Sequence, residues 1–156
     1  FTVYGPWGRP DMAPMIFAKA ILSNQKIDVF NSGQMSRDFT YIDDIVDGVL
    51  RVIDKPATSN EDFDPLAPEP SSSKAPFKVF NIGKGNPTSL MSFISVLENV
   101  LGKKAQINML AMQPGDVPVT AADVLAIQQW SGFQPNIGIK DGVTRFAEWY
   151  LDYYSI

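Results

Sequence analysis

Three short segments hold the side chains best suited to gripping an anionic or hydroxylated ligand. They are Tyr4-Gly5-Pro6-Trp7-Gly8-Arg9-Pro10-Asp11, Ser36-Arg37-Asp38-Phe39-Thr40-Tyr41 and Gln113-Pro114-Gly115-Asp116. Arginine presents a planar fork of donors that matches a carboxylate or phosphate bidentately. Aspartate can accept from two adjacent hydroxyls. Each segment also has a plainer reading: Arg9 as a solvated surface arginine, Arg37 as half of a surface Arg–Asp pair, and Gln113 to Asp116 as a turn with a polar tip. Asp43 and Asp44 resemble paired catalytic carboxylates, but neighbours on a helix point about 100° apart. Acidic residues are favoured in a first helical turn by the helix dipole, so both are assigned to capping.

The missing residue types exclude more chemistry than any motif includes. The chain has no Cys, hence no disulfide framework, thiolate nucleophile or Cys-ligated metal. With no His either, it cannot build a Ser-His-Asp or Cys-His arrangement, a His-ligated metal site or an imidazole acid–base step. A net charge of −4 argues against non-specific nucleic-acid binding, which needs clustered Lys and Arg. Neither a long apolar window nor a basic-then-apolar leader is present, so no membrane partner is expected and the location reads as cytoplasmic.

The elements that must position the three segments follow from periodicity. At 156 residues, 45% of them hydrophobic, one sizeable core is expected. Phe1 to Tyr4 reads as a strand end stopped by Gly5-Pro6, and a chain that opens inside a strand looks like a piece of something longer. Asp11 is expected to cap a helix whose stripe is Met12, Ile16 and Ala20, with Asn24 as its stop. Ile27 to Phe30 alternates as a strand and ends in Asn31-Ser32-Gly33. Thr40 and Asp43 fit a capping box opening a helix whose Ile42, Ile45, Val46, Val49 and Ile53 share a face.

From Ala57 to Pro76 the composition turns to Ser, Pro, Asp and Glu, that of an exposed, disordered insertion. A strand is expected at Phe77 to Ile82, then a helix with the stripe Leu90, Phe93, Ile94, Leu97 and Leu101, ended by Gly102. A short strand at Gln106 to Leu110, a short helix at Ala121 to Gln129 and a last helix at Ile139 to Tyr154 complete an α/β pattern. Gly83-x-Gly85 looks like the start of a dinucleotide fingerprint. Thr88 stands where its third glycine is required, so a strand-to-helix turn explains the pair better.

Taken in order and at these separations, Thr2-Val3-Tyr4-Gly5-Pro6, Arg9-Pro10-Asp11-Met12-Ala13, Arg37-Asp38-Phe39, Asp43-Asp44, Asn81-Ile82-Gly83 and Gln113-Pro114-Gly115-Asp116 resemble the extended short-chain dehydrogenase/reductase family. This is the NAD-dependent epimerase/dehydratase family, and within it the likeness is greatest to the UDP-glucuronate 4-epimerases. The resemblance implies that residues 1–156 are the C-terminal substrate-binding subdomain of an α/β enzyme, interrupted by the insertion at 57–76, with the Rossmann half absent. NAD would be bound by that missing half, since the chain holds neither a complete glycine fingerprint nor a Tyr-x-x-x-Lys pair. No catalytic residue is therefore expected here, and the piece alone should be inactive.

The intact enzyme would oxidise sugar C4 with NAD, let the keto intermediate turn, and reduce its opposite face, converting UDP-glucuronate to UDP-galacturonate. It would act as a homodimer. On this resemblance Thr2 and Arg9 match positions that hold the uronate carboxylate, Arg37 a diphosphate contact, Val29 and Phe30 the uracil pocket, and Asp116 the ribose hydroxyls. Gln113 departs from the pattern, standing where several related epimerases have a second phosphate-binding arginine. A nucleotide-sugar dehydratase, a decarboxylating synthase or a non-catalytic nucleotide-binding module are the alternatives; a retained carboxylate at Thr2 and Arg9 separates the epimerase from the first two.

Overall fold

The computed structural model describes residues 1–156. In chain order it contains β1 (Thr2–Tyr4), α1 (Ala13–Leu22), β2 (Lys26–Val29), a 3-10 turn (Asn31–Gly33), β3 (Ser36–Arg37), β4 (Phe39–Tyr41) and α2 (Ile42–Asp54). After the insertion come β5 (Thr88–Ser89), α3 (Leu90–Leu101), β6 (Gln106–Met109), α4 (Leu125–Ser131) and α5 (Ile139–Tyr154). The strands form three separate pairs. β1 and β4 run parallel with Thr2 opposite Phe39, β2 and β6 run parallel with Val29 opposite Met109, and β3 lies antiparallel to β5. Parallel neighbours need a crossover, and here α1 lies between β1 and β4 and α3 between β2 and β6 in the chain.

The main core gathers Tyr4, Phe17, Ile21, Ile27, Val29, Phe39, Phe93, Leu97, Val143 and Phe146 from all these layers. Phe39 stacks on Phe93 with ring centres 4.4 Å apart, and Tyr4 meets both edge-on. α5 buries Val143, Phe146, Ala147 and Tyr150, the stripe that its period predicts. It approaches β1 closely because Gly142 has no side chain: a Cβ there would overlap the Tyr4 hydroxyl. Burial, with Tyr41, Asp44 and Asp141 nearby, holds the Tyr4 phenol far above its ordinary value. The folded chain thus keeps a proton that the unfolded chain loses above pH of about 10. Stability should be unaffected by Tyr4 below that pH and fall as pH rises beyond it. In alkaline denaturation, Tyr4→Phe should flatten that fall; an unchanged slope would show that Tyr4 does not carry it.

Several local expectations are corrected. Asp11 does not cap α1; Met12 is the N-cap residue without a side-chain bond, and Pro14 in the first turn removes an amide that would need one. Thr40 is not a cap either. It lies in β4, where its Oγ1 accepts from the Lys84 amide at 3.0 Å, and Tyr41 is the N-cap of α2. Asp44 is buried and accepts from the Asn136 and Ile137 amides, each at 3.1 Å, so it ties a distant loop instead of capping. Asp43 pairs with Arg145 at 3.3 Å.

The face of α2 bearing Val46, Val49 and Ile53 is exposed, while Asp44 and Gly48 turn inward. Phe77 to Ile82 forms no strand, its only ladder contact being a single bridge from Lys78 to Ser72. The stretch 57–76 is largely exposed, as its composition suggests, yet it is folded into turns by its own polar side chains. Asn60 and Asp64 accept from the Asp62 and Leu66 amides, and Asn60 also bonds Ser72. α4 starts later than expected, at Leu125: the Ala122 amide is held by Asp38 and the Leu125 amide by Asp123 Oδ1. No helix is long and apolar enough to cross a membrane.

Candidate functional site

A cleft of about 500 Å³ opens between the start of β1, the loop into α1, the outer face of β2 and the β3 strand. Its walls include Thr2, Asp11, Met12, Ile16, Lys26, Asp28, Phe30, Met35, Arg37, Phe39, Leu90 and Asp116. The lining is mostly apolar with a few charged groups at its edges, the composition of a small-molecule site. Four residues singled out from the sequence, Thr2, Phe30, Arg37 and Asp116, meet here although they lie far apart in the chain.

Strand parity decides what β2 contributes. Ile27 and Val29 are buried on the core side, Val29 completely, while Lys26, Asp28 and Phe30 take the other side; Ile27 still reaches the floor of the cleft, and Val29 does not. The Val29 side chain therefore lies behind the cleft, not in it, and its carbonyl is already engaged by the Leu110 amide at 2.9 Å. Lys26 and Asp28 were not anticipated as wall residues. The alternation Lys26-Ile27-Asp28-Val29 carried the signal, because two apolar residues at one parity assign the charged ones to the other.

Arg37 is the most constrained cation of the cleft. Its Nη2 donates to Asp116 Oδ1 at 2.8 Å, and its Nη1 donates to the carbonyls of Ser36 and Pro118 at 3.0 and 3.3 Å. Both partners of the pair are partly buried. Asp116 Oδ1 also accepts from the Val117 amide, which leaves Oδ2 outside these bonds. The fork is thus pre-oriented with Nε outside these bonds, and the carboxylate beside it keeps one oxygen outside them as well. Arg9 does not line the cleft. It stands on the exposed loop before α1 with its Nε 3.5 Å from Asp11, while Asp11 and Met12 themselves form part of the wall. Gln113 closes the turn before Asp116 by accepting the Asp116 amide at 3.2 Å.

Beneath the cleft, Asp38 is completely buried and carries a role that sequence reasoning missed. Its Oδ1 accepts from the Lys84 amide at 3.1 Å, and its Oδ2 accepts from the Gly85 and Ala122 amides at 2.9 and 2.8 Å. One carboxylate thereby joins β3 and β4 to two distant loops. The Gly83-x-Gly85 turn is shaped for this acid: a Cβ at Gly83 would stand 2.5 Å from the Ala122 side chain, and Gly85 has a left-handed φ of 68°. Amides that would have to cradle a dinucleotide pyrophosphate are instead bound to a buried anion, so this turn does not fit NAD.

Residues 1–83 match the family described as the NAD dependent epimerase/dehydratase family. Protein CapI of Staphylococcus aureus is 53% identical over 99% of this chain and 46% of its own length. A probable UDP-glucuronate 4-epimerase of Rhizobium meliloti is 46% identical over 99% of the chain and 46% of its own length. Among solved structures, UDP-glucuronic acid 4-epimerase from Bacillus cereus in complex with UDP-glucuronic acid and NAD superposes with a TM-score of 0.80 at 30% identity, covering 99% of this chain and 44% of that one. The α/β fold is therefore similar to that of the extended epimerases. The chain spans about half the length of the curated relatives it matches.

Proposed function

Because this chain belongs to the NAD-dependent epimerase/dehydratase family, we propose that residues 1–156 form the nucleotide-sugar-binding portion of a UDP-glucuronate 4-epimerase. The observation that carries the reading is the meeting of Arg37, Asp116, Phe30 and Thr2 around one cleft of about 500 Å³. A UDP-sugar presents a flat base, ribose hydroxyls, a diphosphate and a sugar. Phe30 offers the base an apolar wall, Asp116 Oδ2 accepts from ribose, and the Arg37 fork takes a diphosphate oxygen. Thr2 and the Arg9 loop face the sugar, where Arg9 on leaving Asp11 clamps the uronate carboxylate. An exposed pair such as Arg9 with Asp11 is worth at most about 1 kcal/mol, so exchanging it for a ligand carboxylate costs little.

In the whole enzyme the reaction is epimerisation at sugar C4, and NAD supplies the oxidation and re-reduction. This chain holds no Tyr-x-x-x-Lys pair and its one Gly-x-Gly turn is occupied by Asp38, so no oxidation step is assigned to its residues. Its part is to hold the nucleotide fixed while the sugar turns and to retain the carboxylate. NAD binding, dimer formation and the chemistry belong to residues outside these 156.

The test is calorimetric titration with UDP-glucuronate and UDP-glucose. Arg9→Ala should weaken UDP-glucuronate about 10-fold or more, the loss of one charge-assisted bond, and leave UDP-glucose unchanged. Equal weakening of both ligands, or of neither, would contradict the carboxylate role.

A further inference from the structure

Trp7 is 74% exposed, and its backbone sits at φ 61°, in the left-handed region. That conformation costs a residue with a Cβ about 1–2 kcal/mol. It persists where surrounding contacts over-determine it, commonly beside ligand clamps. The contacts here come from α5. The Trp7 ring lies 5.5 Å from Trp149 and meets Tyr153 edge-on at 5.1 Å, while Trp149 and Tyr153 stack on each other at 5.3 Å. Trp149 also packs on Phe146, which is completely buried. An aromatic line therefore runs from the core to the surface and ends two residues before Arg9.

The start of the loop is packed, with Gly5 buried against Ile42 and Tyr41, and beyond it few side chains hold the loop. Gly5, Pro6 and Gly8 bring no long side chain. The Arg9 side chain makes polar contacts with the exposed Asp11 and the Met12 sulfur, and an exposed ion pair of this kind is weak. On the far side, the Arg9 carbonyl accepts from the Met12 amide at 3.1 Å, joining the loop to the first turn of α1 where Asp11 and Met12 form the cleft wall. The backbone under Arg9 is thus located by two fixed points, the α1 turn and the Trp7 stack.

We propose that Trp7 is a positioning residue that, clamped on Trp149 and Tyr153, holds Arg9 at the mouth of the cleft and so sets the preference for a sugar bearing a carboxylate. The proposal rests on the reading of Arg9 given above. Removing the stack frees the glycine-flanked loop to relax out of its left-handed turn, and Arg9 then loses its aim while Arg37, Phe30 and Asp116 keep theirs. Because Trp7 lies outside the core cluster, the effect should fall on selectivity and not on folding.

The experiment uses the intact protein carrying this chain, with dissociation constants for UDP-glucuronate and UDP-glucose measured for wild type, Trp7→Ala, Trp7→Phe, Arg9→Ala and the Trp7→Ala/Arg9→Ala double variant. Trp7→Ala should lower the preference for UDP-glucuronate by about threefold to tenfold, the coupling expected of residues acting on one loop, with UDP-glucose binding unchanged. Trp7→Phe should restore most of the preference, and Trp7→Ala should have no further effect once Arg9 is alanine. If wild type prefers the uronate through Arg9 while Trp7→Ala keeps that preference, or if the two substitutions are additive, the positioning role is overturned and the Arg9 reading stands. A wild type without any preference overturns both.

Discussion

Replacing Asp38 by alanine is expected to cost about 2–4 kcal/mol of folding free energy, because it leaves the Gly85 and Ala122 amides without their acceptor at about 1–3 kcal/mol each and the Lys84 amide with Thr40 Oγ1 alone, offset in part by relief of a buried charge. Asp38→Asn keeps one carbonyl oxygen in place and can serve either the amides on Oδ2 or the one on Oδ1, so its loss should be about half as large. Urea denaturation of both variants measures this. The order alanine, asparagine, wild type is the expected ranking of midpoints. A loss below about 1 kcal/mol for Asp38→Ala would mean that water satisfies the amides and that the carboxylate does not join the loops. The consequence reaches the cleft, since β3, which carries Arg37, is the segment that Asp38 ties down.

Arg37→Ala should weaken UDP about 10- to 100-fold, the range for losing a hydrogen-bonded contact to a charged group. Its effect on folding should be small, below about 1 kcal/mol, since the Asp116 it leaves behind is partly open to water. Arg37→Lys keeps the charge but loses the planar fork, and its affinity should lie between alanine and wild type. Calorimetry with UDP alongside urea denaturation separates the two quantities. An Arg37→Ala protein that binds UDP at wild-type strength would confine Arg37 to a structural pair with Asp116.

The long helices were legible because each repeats its apolar stripe over several turns. α5 spans the predicted Ile139 to Tyr154, and α3 ends at Gly102, whose φ of 65° a glycine adopts at least cost. β6 was legible from Gln106 onward by the same kind of local pattern. What escaped notice depends on partners remote in sequence. β3 and β4 are two and three residues long and exist because β5 and β1 lie beside them, a pairing that no local signal in Ser36 to Tyr41 announces. Lys84 binds Thr40 and Gly85 binds Asp38 across more than forty residues, which turned an apparent capping box into a buried polar knot. The expected strand at Phe77 to Ile82 failed for the converse reason: the pattern was present but its pairing stops at a single bridge from Lys78 to Ser72.

For the cleft, Thr2, Phe30, Arg37 and Asp116 came from a resemblance carried by motif order, and the structure brings all four to one wall system. Parity along β2, which was in the sequence, places Lys26 and Asp28 there and Val29 behind. Arg9 depends on a loop whose conformation is fixed by α5, almost a whole chain away, and no local reading of Gly5 to Asp11 contains that helix.

The central claim is that this cleft binds the nucleotide of a UDP-sugar, and its most direct test is the NMR spectrum of isotopically labelled, well-dispersed protein titrated separately with UDP and NAD. The account predicts shifts at Thr2, Phe30, Arg37 and Asp116 with UDP, and no response to NAD at the Gly83-x-Gly85 turn. Shifts at that turn with NAD, or UDP shifts that leave Arg37 and Asp116 untouched in a folded sample, would contradict it.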